Sequence, residues 1–200
     1  VVTRRLLQAV LQRRRDVGLL PLRDALPHDD ERWAFEIKWD GYRTLAFVDG
    51  GRVRLQSSRG LDVTATYPEL TGLAGDVHAT TAILDAELVV LDDEGRPRFD
   101  LVQRHEREAA MFVFDVLHID GHDTIGLPYE DRRRLLEQLV DNGPNWSVPR
   151  HQVGGGADLL AATLDRGLEG VMAKRLGSLY VPGKRSPNWR KVKNRQRVDV

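Results

Sequence analysis

One lysine in the segment WAFEIKWDGYR, residues 33–43, has the surroundings of a nucleophile. In a strand, alternate residues share a face. Trp33, Phe35, Ile37 and Trp39 then form an apolar face that anchors the segment, while Glu36, Lys38 and Asp40 line the other. Gly41 follows, where the chain can turn or a ligand can approach the backbone. A lysyl amine can attack an electrophile, whereas an arginine stays protonated to about pH 12 and cannot. Flanking carboxylates favour the charged ammonium, the wrong form for attack. An ordinary lysine needs roughly 4 kcal/mol to be neutral near pH 7.5. Nearby cations, a bound metal or burial must supply it. The same pattern also suits an exposed strand with ordinary charge pairs.

Carboxylates recur inside apolar segments. In AILDAELVVL, residues 82–91, Asp85 and Glu87 share a face. In AMFVFDVLHIDG, residues 110–121, Asp115 stands alone, and strict alternation turns Phe112 and Phe114 away from it. In LEGVMAKR, residues 168–175, Glu169 opens a further strand beside Gly170. Buried charges persist when paired or metal-bound. The three segments therefore suggest a site for a divalent metal or ribose hydroxyls, or else buried ion pairs with arginines. Phe114 suits stacking or plain core packing. In YVPGKRSPNWRKVKNRQR, residues 180–197, Lys191 and Lys193 share a face with Trp189 and could clamp a phosphate. Lys184, Arg185, Arg190, Arg195 and Arg197 could follow a nucleic-acid backbone, or form a solvated basic terminus.

Charge and composition narrow the field. Net charge is zero, yet residues 61–169 hold 9 basic and 21 acidic residues, and residues 170–200 hold 9 basic and one acidic. An acidic middle beside a basic end fits phosphate plus metal, or an uneven solvated surface. Arginine outnumbers lysine 25 to 5, and four of the five lysines lie within residues 174–193, leaving Lys38 alone. Zero cysteines excludes disulfides, thiol catalysis and cysteine-ligated zinc, and fits a reducing cytoplasm. No apolar run approaches the length of a membrane-spanning helix. The opening VVTRRLLQAVLQRRR carries arginines through its apolar stretch, unlike a secretory signal. Walker A, G-x-G-x-x-G and H-E-x-x-H patterns are absent. Gly154-Gly155-Gly156 lacks the Lys-Ser/Thr of a phosphate loop and reads as a loop, and His118 and His122 flank a turn-like IDG rather than a metal site.

The elements that must position these residues follow from periodicity and turn signals. An amphipathic helix is expected over 4–16, then a loop-like stretch over 19–32. Strands are expected near 33–39, 43–48 and 52–58, with Asp49-Gly50-Gly51 turning the second hairpin. A short helix near 67–74 starts with Pro68 in its first turn. Strands near 82–91 and 110–119 are apolar on both faces and so central. Helices over 128–141 and 157–166 and strands near 169–175 and 189–193 complete the chain. Hairpins followed by mixed elements favour an α+β fold with largely antiparallel sheets.

Read in order, these pieces resemble the nucleotidyltransferase domain of ATP-dependent DNA ligases. KWDGYR (38–43) is similar to that family's K-x-D-G-x-R motif, ILDAELV (83–89) to its D-G-E motif and FVFDVLHIDG (112–121) to its F-D-x-L motif. LEGVMAKR (168–175) is similar to E-G-x-M, and WRKVK (189–193) to the final K-x-K. YVPGKRSPNW looks most like the bacterial ligase D type, which acts in non-homologous end joining. The resemblance implies two mainly antiparallel sheets flanked by helices, with a nucleotide cleft between them. It implies that Lys38 attacks the α-phosphorus of ATP to form a lysyl–AMP adduct and that Asp40 supports the later sealing step. Phe114 would stack on adenine, Glu36 and the Ile37 backbone would read its amino group, and Arg43 and Glu87 would contact the ribose. Lys191 and Lys193 would hold the AMP phosphate. Glu169, helped by Glu87, would serve Mg²⁺ or Mn²⁺. Arg59 would meet the 5′-phosphate of a nick, with Lys184 and Arg185 on the DNA. Nicked duplex DNA, an OB-fold domain of the same protein and a DNA-end-binding Ku-type protein are the implied partners, in a bacterial cytoplasm at the nucleoid.

Two departures stand out. Ala86 occupies a position where the family usually has glycine, and Arg190 one that is commonly apolar. Residues 1–25 are expected to be an N-terminal helix and linker, and 26–200 the adenylation domain. An OB-fold is expected to follow in a longer enzyme, leaving this part weakly active alone. An RNA ligase or capping-type nucleotidyltransferase, or a module that holds nicked DNA or AMP without turnover, are the alternatives.

Overall fold

The computed structural model describes residues 25–104, 107–183 and 186–194. The helix expected over 4–16, and Lys184, Arg185, Arg195 and Arg197, lie outside the described residues. Two sheets are formed. The first contains β1 (Trp33–Ile37), β8 (His151–Val153), β9 (Gly170–Arg175) and β10 (Trp189–Lys193), in the order β10-β9-β1-β8. The second contains β2 (Tyr42–Asp49), β3 (Arg52–Ser57), β4 (Thr81–Val89), β5 (Ala110–Ile119) and β6 (His122–Asp123), in the order β3-β2-β4-β5-β6. Pairing is antiparallel except where β7 (Trp146–Ser147) runs parallel beside β5. Helices α1 (Phe99–Arg104), α2 (Tyr129–Leu139) and α3 (Gly156–Asp165) flank the sheets. The α+β architecture is the expected one. Among the described residues no helix is long and apolar enough to cross a membrane.

Each sheet buries its own apolar side. Ala46, Val48 and Leu55 join Leu84, Ala86, Leu88, Val113 and Leu136 in the larger core. The segment Pro68–Asp76, where a short helix is expected, caps that core with Leu70 and Leu73 as a 3₁₀ helix. Three-residue spacing of its apolar side chains suits the tighter turn, and Gly72 lets the Trp146 ring pack closely against it. In the first sheet, Trp33 and Phe35 pack with Val171, Ala173 and Val192 against Leu159 and Leu160 of α3. This is the anchoring face read from the alternation.

The anchoring strand ends at Ile37, two residues earlier than expected. The chain crosses there from one sheet to the other. Trp39 leaves the first core and stacks on Phe112 of the second sheet, with ring centroids 3.8 Å apart. Gly41 makes the crossing possible, because a Cβ at that position would run into the carbonyl oxygen of Leu88. Elements α1, β6, β7 and β8 escaped the sequence reading because they are too short to show a period.

Bulges in β5 overturn one expectation. Along the β4–β5 ladder Asp85 opposes Asp115 and Ala86 opposes Val113, so Phe114 is an extra, unpaired residue. Leu117 is a second one. A bulge breaks alternation and re-aims side chains. Glu87 opposes Phe112 and Asp85 opposes Asp115, and Asp85 and Glu87 are two apart on one strand. Phe112 therefore shares the face of Asp115 instead of pointing away from it. Phe114 likewise joins that side, where its ring lies 4.6 Å from the Lys174 amine of the first sheet.

Candidate active site

Register assembles the site from two facing surfaces. On the first sheet Lys191, Met172, Glu36 and His151 form one cross-strand row, and Trp189 and Lys174 begin the next. On the second, Arg43, Glu87 and Phe112 form a row, followed by Leu45, Asp85 and Asp115. The surfaces meet where Lys174 Nζ lies 3.4 Å from the Phe114 carbonyl oxygen. The carboxylates, lysines and facing aromatics of the two surfaces thus border one cleft, while Trp33 and Phe35 pack on the far side of the first sheet.

Lys38 occupies one end. Its amide donates to the Gly170 carbonyl at 2.9 Å, extending β1 against β9. Gly170 has φ of 142°, and a Cβ there would strike the Val192 carbonyl oxygen of β10, so no other residue lets the three segments close up. The Lys38 amine is ion-paired to one oxygen of Glu169, and Lys193 Nζ lies 2.6 Å from the other. Burial pushes the Glu169 carboxyl up, but the bonds from Lys193 and Lys38 together outweigh it and hold the group below its ordinary range. The Glu169 bond in turn raises Lys193. Lys191 moves the other way. Burial of its amine, then the positive charge of Lys38, push it down. Burial raises Glu87 to about 7 against the opposing pull of Arg43 and Lys38. Asp40, exposed, lies close enough for its charge to act on Lys193.

This end suits a hard divalent cation. Among the described residues no hydrogen bond or ion pair holds Glu87, a half-buried carboxyl whose own surroundings call for positive charge. Glu169 supplies a second carboxylate, and the charge of Lys38 acts on both. No cluster of three or more His, Asp or Glu able to hold a metal exists among the described residues. Two carboxylates completed by water and phosphate oxygens match the usual Mg²⁺ pattern, and Mn²⁺ accepts the same oxygen donors.

The other end is closed by hydrogen bonds. Glu36 is buried, accepts from the Tyr129 hydroxyl, and lies 2.9 Å and 2.8 Å by its two oxygens from Lys174 Nζ. Asp85 accepts from Arg43 Nε at 2.8 Å, from Arg43 Nη2, and from the Tyr180 hydroxyl at 2.6 Å. Burial raises Asp85, but its bonds with Arg43 prevail and leave it low. Asp115 is held by Arg132 of α2 at 2.8 and 2.9 Å, yet burial still wins and leaves it raised. For Asp85 and Asp115 the arginine ion pair is therefore the correct reading, and neither carboxylate is free for a metal.

The remaining sequence candidates find plain positions. Ile37 ends β1 beside Lys38. Arg43 sits 5.7 Å from the Phe114 ring centroid. Arg59 is exposed in the turn closed by Gly60 N–H to the Ser57 carbonyl. Ala86 points into the larger core, so its methyl never meets the cleft. Arg190 lies on the far side of β10, its guanidinium 4.7 Å from the Trp33 ring. His118 bonds Asp123 at 3.0 Å within the β5–β6 hairpin. Sequence reasoning missed Met172, Lys174, Tyr129 and Tyr180. Alternation along VMAKR and the scarcity of lysine carried a signal for the first two. The tyrosines reach Glu36 and Asp85 across 93 and 95 residues, and nothing local marks them.

Comparison with known proteins agrees with this geometry. The family described as ATP dependent DNA ligase domain matches residues 21–193. The chain is 46% identical over 165 residues to "Multifunctional non-homologous end joining protein LigD" of Mycobacterium bovis, covering 82% of this chain and 22% of that protein. It is 34% identical over 190 residues to "DNA ligase" of Thermococcus onnurineus, covering 86% and 34%. A solved structure described as mycobacterial DNA ligase D complexed with ATP and MES aligns with a TM-score of 0.72 at 43% identity, covering 80% of this chain and 54% of that one. The chain thus spans about a fifth of the length of its LigD relative.

Proposed function

Since the chain belongs to the ATP-dependent DNA ligase domain family, we propose that it is the adenylation domain of a ligase D type enzyme that seals DNA nicks in end-joining repair. The observation that carries this reading is the ion pair of Lys38 with Glu169, shared with Lys193 and faced by Glu87. Lys38 first leaves Glu169 and gives up a proton to solvent, which frees its nitrogen lone pair. Its nitrogen then bonds the α-phosphorus of ATP as the bond to the pyrophosphate oxygen breaks. Lys191 and Lys193 offset the negative charge that builds on the phosphate oxygens. Glu169 and Glu87 would hold Mg²⁺ or Mn²⁺, whose charge neutralises the triphosphate.

At the other end Phe114 offers its ring to adenine and Glu36 and the Ile37 backbone meet the base edge, and between the two ends Arg43 and Glu87 face the ribose. AMP then passes to the 5′-phosphate of nicked duplex DNA, with Asp40 supporting sealing and Arg59, Lys184 and Arg185 on the DNA backbone. An OB-fold domain of the same protein would orient the pyrophosphate, and a Ku-type end-binding protein would deliver the substrate at the bacterial nucleoid.

Intact-mass spectrometry after incubation with ATP and Mg²⁺ tests the reading. Slow covalent labelling by AMP at Lys38 is expected, with none in Lys38→Arg, whose guanidinium keeps the charge without the nucleophile. Labelling that survives this substitution overturns the assignment, and labelling by GTP in place of ATP points to capping-type chemistry.

A further inference from the structure

We propose that Arg52 and Arg54 of β3 form a phosphate-binding row that carries one strand of the nicked DNA away from the reaction centre; this rests on the nick-sealing reading above. Register places the row. Leu45 pairs with both Asp85 and Gln56, so Gln56 is on the cleft side of the second sheet. Arg54 and Arg52 follow it on that side at two-residue steps. Val53 and Leu55, between them, point into the larger core. At the inner end of β3 the Ser58 amide donates to the Arg43 carbonyl at 3.0 Å. The turn that bears Arg59 therefore adjoins the row of Arg43, Glu87 and Phe112. From that turn β3 runs outward along the free edge of the sheet.

The side chains are prepared for an anion. Arg54 is partly exposed, with its guanidinium 4.2 Å from the Phe47 ring centroid and one N–H donated to Gln56 Oε1 at 3.1 Å. A guanidinium fixed by a ring and an amide keeps its other N–H groups for an acceptor from outside. Arg52 and Arg59 are exposed. Among the described residues none of the three is in an ion pair, although Asp49 opposes Arg52 across the ladder and the charge of Arg54 reaches Asp62. Asp62 is engaged instead by the Thr64 amide and hydroxyl, at 2.9 and 2.6 Å. On other parts of the surface Arg96, Arg98, Arg107 and Arg134 are each paired with Asp or Glu. Residues two apart in a strand lie about 6.6 Å apart, and successive phosphates of one nucleic-acid strand are spaced much alike. Guanidinium groups at that step fit a polyanion of regular repeat better than a single small anion. Each can take a phosphate through two N–H bonds, contacts that fix the register of the duplex without reading its sequence.

Binding of a nicked duplex, followed by fluorescence anisotropy across a salt series beside Lys38 labelling by ATP, tests this in the full chain. The double variant Arg52→Gln/Arg54→Gln is expected to bind about tenfold more weakly at low salt, with a salt slope smaller by about 1.8, the counterions of two phosphates. Arg52→Lys/Arg54→Lys, which keeps both charges, is expected to restore most of that slope. Neutral methylphosphonates in place of two successive phosphates beside the nick are expected to weaken wild type and to leave the glutamine variant unaffected. Placing them on the nicked or the template strand identifies which strand follows the row. A slope unchanged in the glutamine variant, methylphosphonates that weaken both proteins equally at every position, or Lys38 labelling that falls as far as binding does, overturns the inference alone. Absence of any Lys38 adduct in wild type overturns the adenylation reading, and the inference with it, whatever the salt series shows.

Discussion

The two ends of the cleft use the same residue types to opposite effect. Around Lys38, the charges are half-buried or exposed, and under-bonded. Lys38 and Lys193 share a single carboxylate, Lys191 is pushed down by its neighbours, and Glu87 near 7 has no partner among the described residues. Around Lys174, the carboxylates are dry and fully paired. Glu36, Asp85 and Asp115 are each bonded by a named Lys or Arg, with Tyr129 and Tyr180 filling further lone pairs. The difference teaches that reactivity here comes from incomplete pairing, and template rigidity from complete pairing. A group that must change partners during a reaction cannot be locked into a full hydrogen-bond set.

Arg132→Met should give the largest effect on stability. It leaves Asp115 buried without its counter-ion, a situation that typically costs about 3–5 kcal/mol. Chemical denaturation would show a much lower midpoint; a midpoint near wild type would mean the saturated end is less rigid than its bonding implies.

Glu87→Gln should act mainly through pH. The folded carboxyl titrates at about 7, above the unfolded value of 4.5, so the folded state holds its proton more tightly. Stability is then fully retained below about 4.5 and declines as pH rises toward about 7. The glutamine variant should lose that decline and be the more stable protein at pH 8. Thermal unfolding across this range would show it, and parallel curves for the two proteins would contradict the burial argument.

Lys193→Met should change stability least, by under about 1 kcal/mol, because the amine is largely exposed. Its labelling by AMP should nevertheless fall by at least about tenfold through lost stabilisation of phosphate charge. A stability loss as large as that of Arg132→Met would erase the distinction between the two ends.

Much of the first sheet was legible because its strands carry strong alternation. Trp33 and Phe35 on one side and Glu36 on the other follow from period two, as do Lys191 and Lys193 beside Trp189. Alternation failed where the backbone is irregular. The bulge at Phe114 turned Phe112 and Asp115 to one side, and the crossing after Ile37 sent Trp39 to the second sheet. Such irregularities depend on how two strands meet, which no single segment encodes.

The residues alone determined which groups could react and in what order they stand along the chain, because nucleophilicity and strand period are properties of side-chain type and local spacing. Only the tertiary structure decided which carboxylates remain free. Asp85 and Glu87 sit two apart in one strand and look equivalent in the sequence, yet Arg43 and Tyr180 occupy the first and leave the second open. The reason is physical: a charge is spent or available according to the partners that distant segments bring to it, and Tyr180 lies 95 residues from Asp85.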